Sequence, residues 1–323
     1  MSDNSIRDGK PGLLAIALLW MASRALPLYW VFSQLERKFD FEVPQVKKIL
    51  EYGFWARKGA MINTDFVTGL SVNPGNYVNH PFPIIWLYTL LYRLGGEVAI
   101  YIFLAVVGLV SCLLVYVVLR RYFSQPSAWF AAALFTVAQG AIEFDLNTDV
   151  VAFGTVVWLF VMLVVSRAHR AGRALTTGEL WLLAAGVFAG GQISWFTLTT
   201  VPALMIFSLP PGVKLTEAIR KPLRIAPWRP LLIGGVATAL VFLMQIVLYS
   251  SGAHGDSDYV KEQLGLTSIS RWKSFPVIVV RMLLAGSALW FGAILALFKM
   301  RVLLKSNRLF LGAAAYLPTF IGV

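Results

Sequence analysis

The chain has 323 residues, 58% of them hydrophobic and only 14% charged, with a formal net charge of +12. A water-soluble domain of this length cannot hide so much apolar surface, whereas a bilayer asks for spans of about 20 apolar residues, so the composition sets an all-α polytopic membrane protein. The positive charge gathers in short connections between apolar runs, where it sets topology and meets lipid headgroups, which leaves a nucleic-acid partner without support. The single cysteine, Cys112, excludes a disulfide framework and a cysteine metal site, and three histidines exclude a His-rich centre.

Sustained hydropathy, and the charges that interrupt it, predict spans at Gly12–Phe32, Val98–Leu119, Ala128–Ile142, Val150–Ser166, Leu180–Trp195, Phe196–Leu209, Leu231–Ser250, Pro276–Phe298 and an unfinished Leu309–Val323. That gives about eight or nine transmembrane helices in one membrane domain covering residues 1–323. Three exterior connections stand out: a long first loop, 33–97, an acidic one, 143–149, and a later one, 251–275. Arg7, Lys10, Arg120, Arg121, Arg167, Arg170, Arg173, Lys214, Arg220, Lys221, Arg224, Arg229, Lys299, Arg301, Lys305 and Arg308 all fall on the other side. The positive-inside rule makes that side, and the N-terminus, cytoplasmic. The expected location is a bacterial inner, or plasma, membrane.

The first span carries Arg24 at its middle. A charge there is costly enough to face an internal cavity or to snorkel, so Arg24 is a candidate partner for a phosphate or a carboxylate. Pro27, three residues on, predicts a local break in the helix.

The loop that follows is acidic and amphipathic. Val43, Val46 and Leu50 fall on one side of a predicted helix, with Lys47, Lys48 and Glu51 on another; Pro44 suits its first turn and Gly53 its stop. Such a helix is expected to lie on the membrane surface, with Asp40 and Glu42 at its start near headgroup level. Asp40 reads equally as a helix cap. Asn73-Pro74-Gly75-Asn76-Tyr77 is a turn, after which His80 is held extended by Pro81 and projects from the loop. Ile84–Leu94 is too brief to cross and reads as a second interfacial helix, with Trp86, Tyr88 and Tyr92 suited to a half-wet position.

Glu143, Asp145 and Asp149 crowd the next exterior connection. Carboxylates at that depth must be wet, paired or metal-bound. Asp149 has an alternative duty as cap of the span from Val150, whereas Asp145 has none evident. Asp40, Asp145 and Asp149 would together suit a divalent cation such as Mg or Mn, or Asp40 and Asp145 a base and its orienting acid. Gly190-Gly191-Gln192 marks close helix packing, with Gln192 also a ligand candidate. Arg271, Lys273 and Arg281 place positive charge on the same face as the acids, where a lipid phosphate or ordinary headgroups would meet it.

These motifs resemble the superfamily of integral-membrane glycosyltransferases of the type C fold that use lipid-phosphate sugars, in the branch of protein mannosyltransferases and of aminoarabinose transferases acting on lipid A. The likeness rests on Asp40 and Glu42 after the first span, the surface helix ending at Gly53, the run His80-Pro81-Phe82-Pro83 leading to Leu94-Gly95, Arg120-Arg121-Tyr122-Phe123, and the step from Asp145 to Asp149. It covers residues 12–210. Two motifs depart from the family's usual form: Asp40-Phe41-Glu42 stands where an Asp-Glu pair is common, and His80-Pro81-Phe82 where His-Pro-Pro is.

The resemblance implies that Asp40 is the base, that Asp145, with Glu42 or Asp149, assists it or holds a cation, and that His80 and the exterior cations lie near the lipid phosphate. The implied partners are a polyprenyl-phosphate sugar donor, membrane lipid, an unidentified acceptor and a further membrane subunit. Because the chain stops inside the apolar run 309–323, it is expected to be a shortened relative or a piece of a longer protein. The alternatives are a lipid or glycolipid transporter or flippase, against which the absence of an internal repeat counts, and a non-catalytic subunit of a glycan assembly complex.

Overall fold

The computed structural model describes residues 10–33, 42–53, 61–62, 76–77, 82–138, 141–142, 151–193, 201, 204–205, 208–209, 213 and 215–249. The element order is α1 (Lys10–Ser33), α2 (Glu42–Tyr52), β1 (Met61–Ile62), β2 (Asn76–Tyr77), α3 (Phe82–Leu119), α4 (Gln125–Val137), α5 (Val151–Arg170), α6 (Thr177–Ile193), α7 (Leu215–Arg220), a 3₁₀ turn at Pro222–Arg224 and α8 (Trp228–Tyr249). Among the described residues, Lys10–Ser33, Phe82–Leu119 and Trp228–Gln245 are long and apolar enough to cross a bilayer, with a shorter apolar stretch at Thr155–Ala168. The protein is an integral membrane protein built of α-helices. Its β-structure among the described residues is one antiparallel ladder pairing Met61 with Tyr77 and Ile62 with Asn76.

α3 is two helices joined end to end. Gly95 (φ −157°, ψ 23°) and Gly96 (φ 67°, ψ −158°) leave the helical region between them, and the positive φ at Gly96 is one that a side chain resists. The sequence pair Gly-Gly therefore separates the short helix expected at Ile84–Leu94 from the long span that ends at Leu119. α1, by contrast, runs through Pro27, and the expected break is not seen in its helical course.

Short connections fold the middle of the chain back on itself. Residues 120–124 join α3 to α4, where Pro126 occupies the first turn and needs no hydrogen-bond partner for its nitrogen. Residues 171–176 join α5 to α6, with Gly172 at φ 62° closing the turn. α1 packs on α3 and α4, α5 packs on α3 and α6, and α6 packs on α8.

The α6–α8 contact depends on small residues. A methyl added at Gly191 would overlap Thr238, and one at Gly234 would approach the Ala184 carbonyl oxygen to 2.5 Å. Since 184 faces 234 and 191 faces 238, the contact climbs both helices together and they run parallel. Close backbone approach is how helices associate where lipid supplies no hydrophobic drive.

Candidate active site

α2 forms as its pattern predicts, and Gly53 stops it with φ 86°. Its apolar side is taken by protein: Val43, Val46 and Ile49 are buried in one cluster with Phe82, Ile84, Ile85 and Tyr88 of α3. Lys47 adds an ion pair to Glu97, 3.4 Å away and just past the Gly95–Gly96 bend, so α2 is tied to both halves of α3. Glu97 escaped the sequence reading. The signal was a lone carboxylate opening a long apolar run.

The start of α3 is fixed from a distant part of the chain. In Pro81-Phe82-Pro83 only Phe82 has a backbone N–H, and it donates to Oε1 of the buried Gln245 on α8 at 3.3 Å. Gln245 was also missed, because nothing in the sequence tells which polar residue of a span will meet a helix start far upstream.

The same cluster gathers the roots of several connections that the sequence predicts to be exterior. It contains Val31 near the end of α1, Val43 at the start of α2, Phe82 at the start of α3 and Phe153 at the start of α5, with Ile142 and Ile193 packed against it. The Phe103 and Phe153 rings meet with centroids 5.2 Å apart, joining α3 to α5. Thus the chain enters and leaves the 34–41 and 143–150 segments from one apolar patch at one end of the bundle.

The residues predicted to carry chemistry stand as follows. Asp40, His80, Asp145, Asp149, Arg271, Lys273 and Arg281 lie outside the described residues, as does the side chain of Glu42, whose backbone opens α2. The predicted spans Pro276–Phe298 and Leu309–Val323 lie outside them too. No group of three or more His, Cys, Asp or Glu suited to a metal ion occurs among the described residues.

Arg24 is fully buried, and its guanidinium has protein partners. It donates to the Thr136 carbonyl oxygen and to Ser23 Oγ, the latter at 2.7 Å, and lies 5.7 Å from the centre of the Trp20 ring. Thr136 is in the last turn of α4, where carbonyls lack helical donors and the helix dipole favours a cation. Arg24 therefore locks α1 to the C-terminal end of α4.

Gln192 sits at the end of α6, with Gly190 and Gly191 buried before it. The glycine pair does mark close packing, as the sequence suggested. An open cleft of about 530 Å³ lined by Gln125, Pro126, Trp129 and Phe130 lies along the first half of α4.

The sequence pattern of the dolichyl-phosphate-mannose-protein mannosyltransferase family matches residues 79–243, just over half of the chain. The chain belongs to that family. The matched segment opens at Asn79 beside His80, spans α3 to most of α8, and closes two residues before Gln245, so it takes in the α3 and α5 side of the cluster and leaves out α1 and α2. Membership makes the chain an enzyme of the glycosyltransferase kind, related to sugar transfer from a dolichyl or polyprenyl phosphate. Neither the curated proteins nor the solved structures contain a match to it.

Proposed function

We propose that this family member moves a sugar from a polyprenyl-phosphate donor to a hydroxyl or amine acceptor at the outer face of the membrane, with Asp40 as the base. The observation that supports this most is the shared apolar root: the segments bearing Asp40, His80 and the Asp145–Asp149 run all spring from the cluster around Val43, Phe82 and Phe153. In the proposed reaction the acceptor oxygen or nitrogen attacks the anomeric carbon and the bond from that carbon to the phosphate oxygen breaks. The lipid phosphate leaves with the electron pair, and Asp40 takes the acceptor proton. Asp145, with Glu42 or Asp149, orients Asp40 or holds a divalent cation. His80, Arg271, Lys273 and Arg281 stabilise the charge that develops on the phosphate.

The full arrangement then has about eight or nine spans and the N-terminus inside, with the 42–52 helix seated on the 82–94 helix beside the site at headgroup depth. The lipid tail stays between helices, because withdrawing it from the bilayer costs about 0.8 kcal/mol per CH₂. A bacterial inner membrane and a further membrane subunit belong to the same reading.

The test is incubation of the purified chain with labelled polyprenyl-phosphate sugars and a panel of acceptors, with and without chelator, scoring released lipid phosphate. Asp40→Asn should lower turnover by about a hundredfold or more while donor binding persists. Unchanged turnover in that variant removes Asp40 from the reaction. Donor binding without any transfer by the wild type favours a carrier or a non-catalytic subunit.

A further inference from the structure

α6 ends on an amide that no described residue satisfies. Among the described residues, Gln192 Nε2 is shielded from solvent and has no hydrogen-bond partner, while the residue as a whole is only partly buried. Buried donors are nearly always paired, so an orphan amide asks for an explanation. Its chain neighbours place it. Gly191 abuts Thr238 of α8, while Ile193 packs on the cluster from which the acidic segments spring. Thr238 lies two turns before Gln245, which holds the start of α3, so Gln192 sits about 10 Å below that point along α8.

We propose that Gln192 is a substrate-binding residue whose amide donates to an oxygen of the sugar-phosphate head of the donor lipid. This rests on the functional reading above. The acceptor is either a phosphate oxygen or a sugar hydroxyl; both offer lone pairs to an N–H donor in a site poor in competing water. An amide is suited to this depth because it binds an oxygen-rich head without bringing a charge there.

The experiment measures binding of a labelled polyprenyl-phosphate sugar, and of the polyprenyl phosphate alone, to the full chain in detergent or nanodiscs, together with thermal unfolding. Gln192→Leu should weaken donor binding about three- to tenfold, the share of one neutral hydrogen bond, while Tm holds or rises because an unpaired polar group has been removed. Gln192→Glu should weaken it further if the partner is phosphate, through like-charge repulsion, and the sugar-free lipid then shows the same loss. If the partner is a sugar hydroxyl, Gln192→Leu binds the sugar-free lipid as the wild type does. The proposal fails if both variants bind the donor normally, or if Gln192→Leu lowers Tm and binding together, which is the mark of a structural amide. Wild-type protein that binds no such lipid overturns the functional reading itself, and this inference with it.

Discussion

The two ends of the bundle are built in opposite ways. At the end where the 34–41 and 143–150 segments leave the helices, connections are seated by large buried side chains drawn from α1, α2, α3 and α5, with the Lys47–Glu97 pair as an addition. At the end of the 120–124 and 171–176 turns, short connections close on themselves. The 171–176 turn is the clearest case: Thr176 Oγ1 accepts the Glu179 N–H at 3.3 Å, Glu179 Oε2 accepts the Thr176 N–H at 2.9 Å, and Arg173 grips both Glu179 oxygens at 2.7 Å. This reciprocal cap is a local device, legible as Thr176-x-x-Glu179. An end that only reverses the chain can be held by neighbours in sequence, whereas the end proposed to support a site draws on residues far apart.

The largest effect should therefore come from the cluster around Val43, Phe82 and Phe153. Ile49→Ala removes a fully buried side chain at the α2–α3 contact and should cost about 3 kcal/mol, read as earlier release of the 42–52 helix in hydrogen exchange with the rest of the bundle still protected. Uniform loss of protection would mean that α2 is no separate tier. At the 171–176 turn, Thr176→Ala should cost about 1 kcal/mol, confined to the first turn of α6.

Acid should produce the smallest change. The Arg173 guanidinium and the Thr176 N–H hold the Glu179 carboxyl at about 2, below its ordinary 4.5. The unfolded chain thus binds that proton at higher pH than the folded one, so the contribution of the cap is complete above about pH 4.5 and is lost as pH falls through 2. Glu179→Gln should flatten that part of a Tm-against-pH curve, by a modest amount because solvent screens the pair. An unaltered curve would show that the pair adds nothing beyond the cap.

Much of the plan is written in local pattern. Pro44 and Gly53 bracket α2, Gly95-Gly96 divides α3, and the spans at Gly12–Phe32 and Leu231–Ser250 fall within a few residues of α1 and α8. Gly190-Gly191 announces close packing, because only a missing side chain lets two backbones meet. The resemblance drawn from His80-Pro81-Phe82-Pro83 and its surroundings named the family that residues 79–243 match.

Pairing across distance was not legible. The amphipathic side of α2 looked like a membrane-facing surface, and its partner proved to be Phe82, Ile84, Ile85 and Tyr88. Arg24 was read as a candidate partner for phosphate or carboxylate, and the structure gives it the carbonyl of Thr136 at the end of α4. Glu97 and Gln245 passed unnoticed until their partners lay beside them.

The sequence by itself determined that this is a helical membrane protein, where its helices turn, and which kind of transferase it resembles. Those properties follow from hydropathy, glycine and proline, which act within a few residues of their own position. Only the tertiary structure decided which buried polar group meets which helix end, and that Val31, Val43, Phe82 and Phe153 share one cluster. A side chain's partner depends on the packing of the whole bundle, and hydrogen bonds and van der Waals contacts reach no further than the atoms that packing brings together.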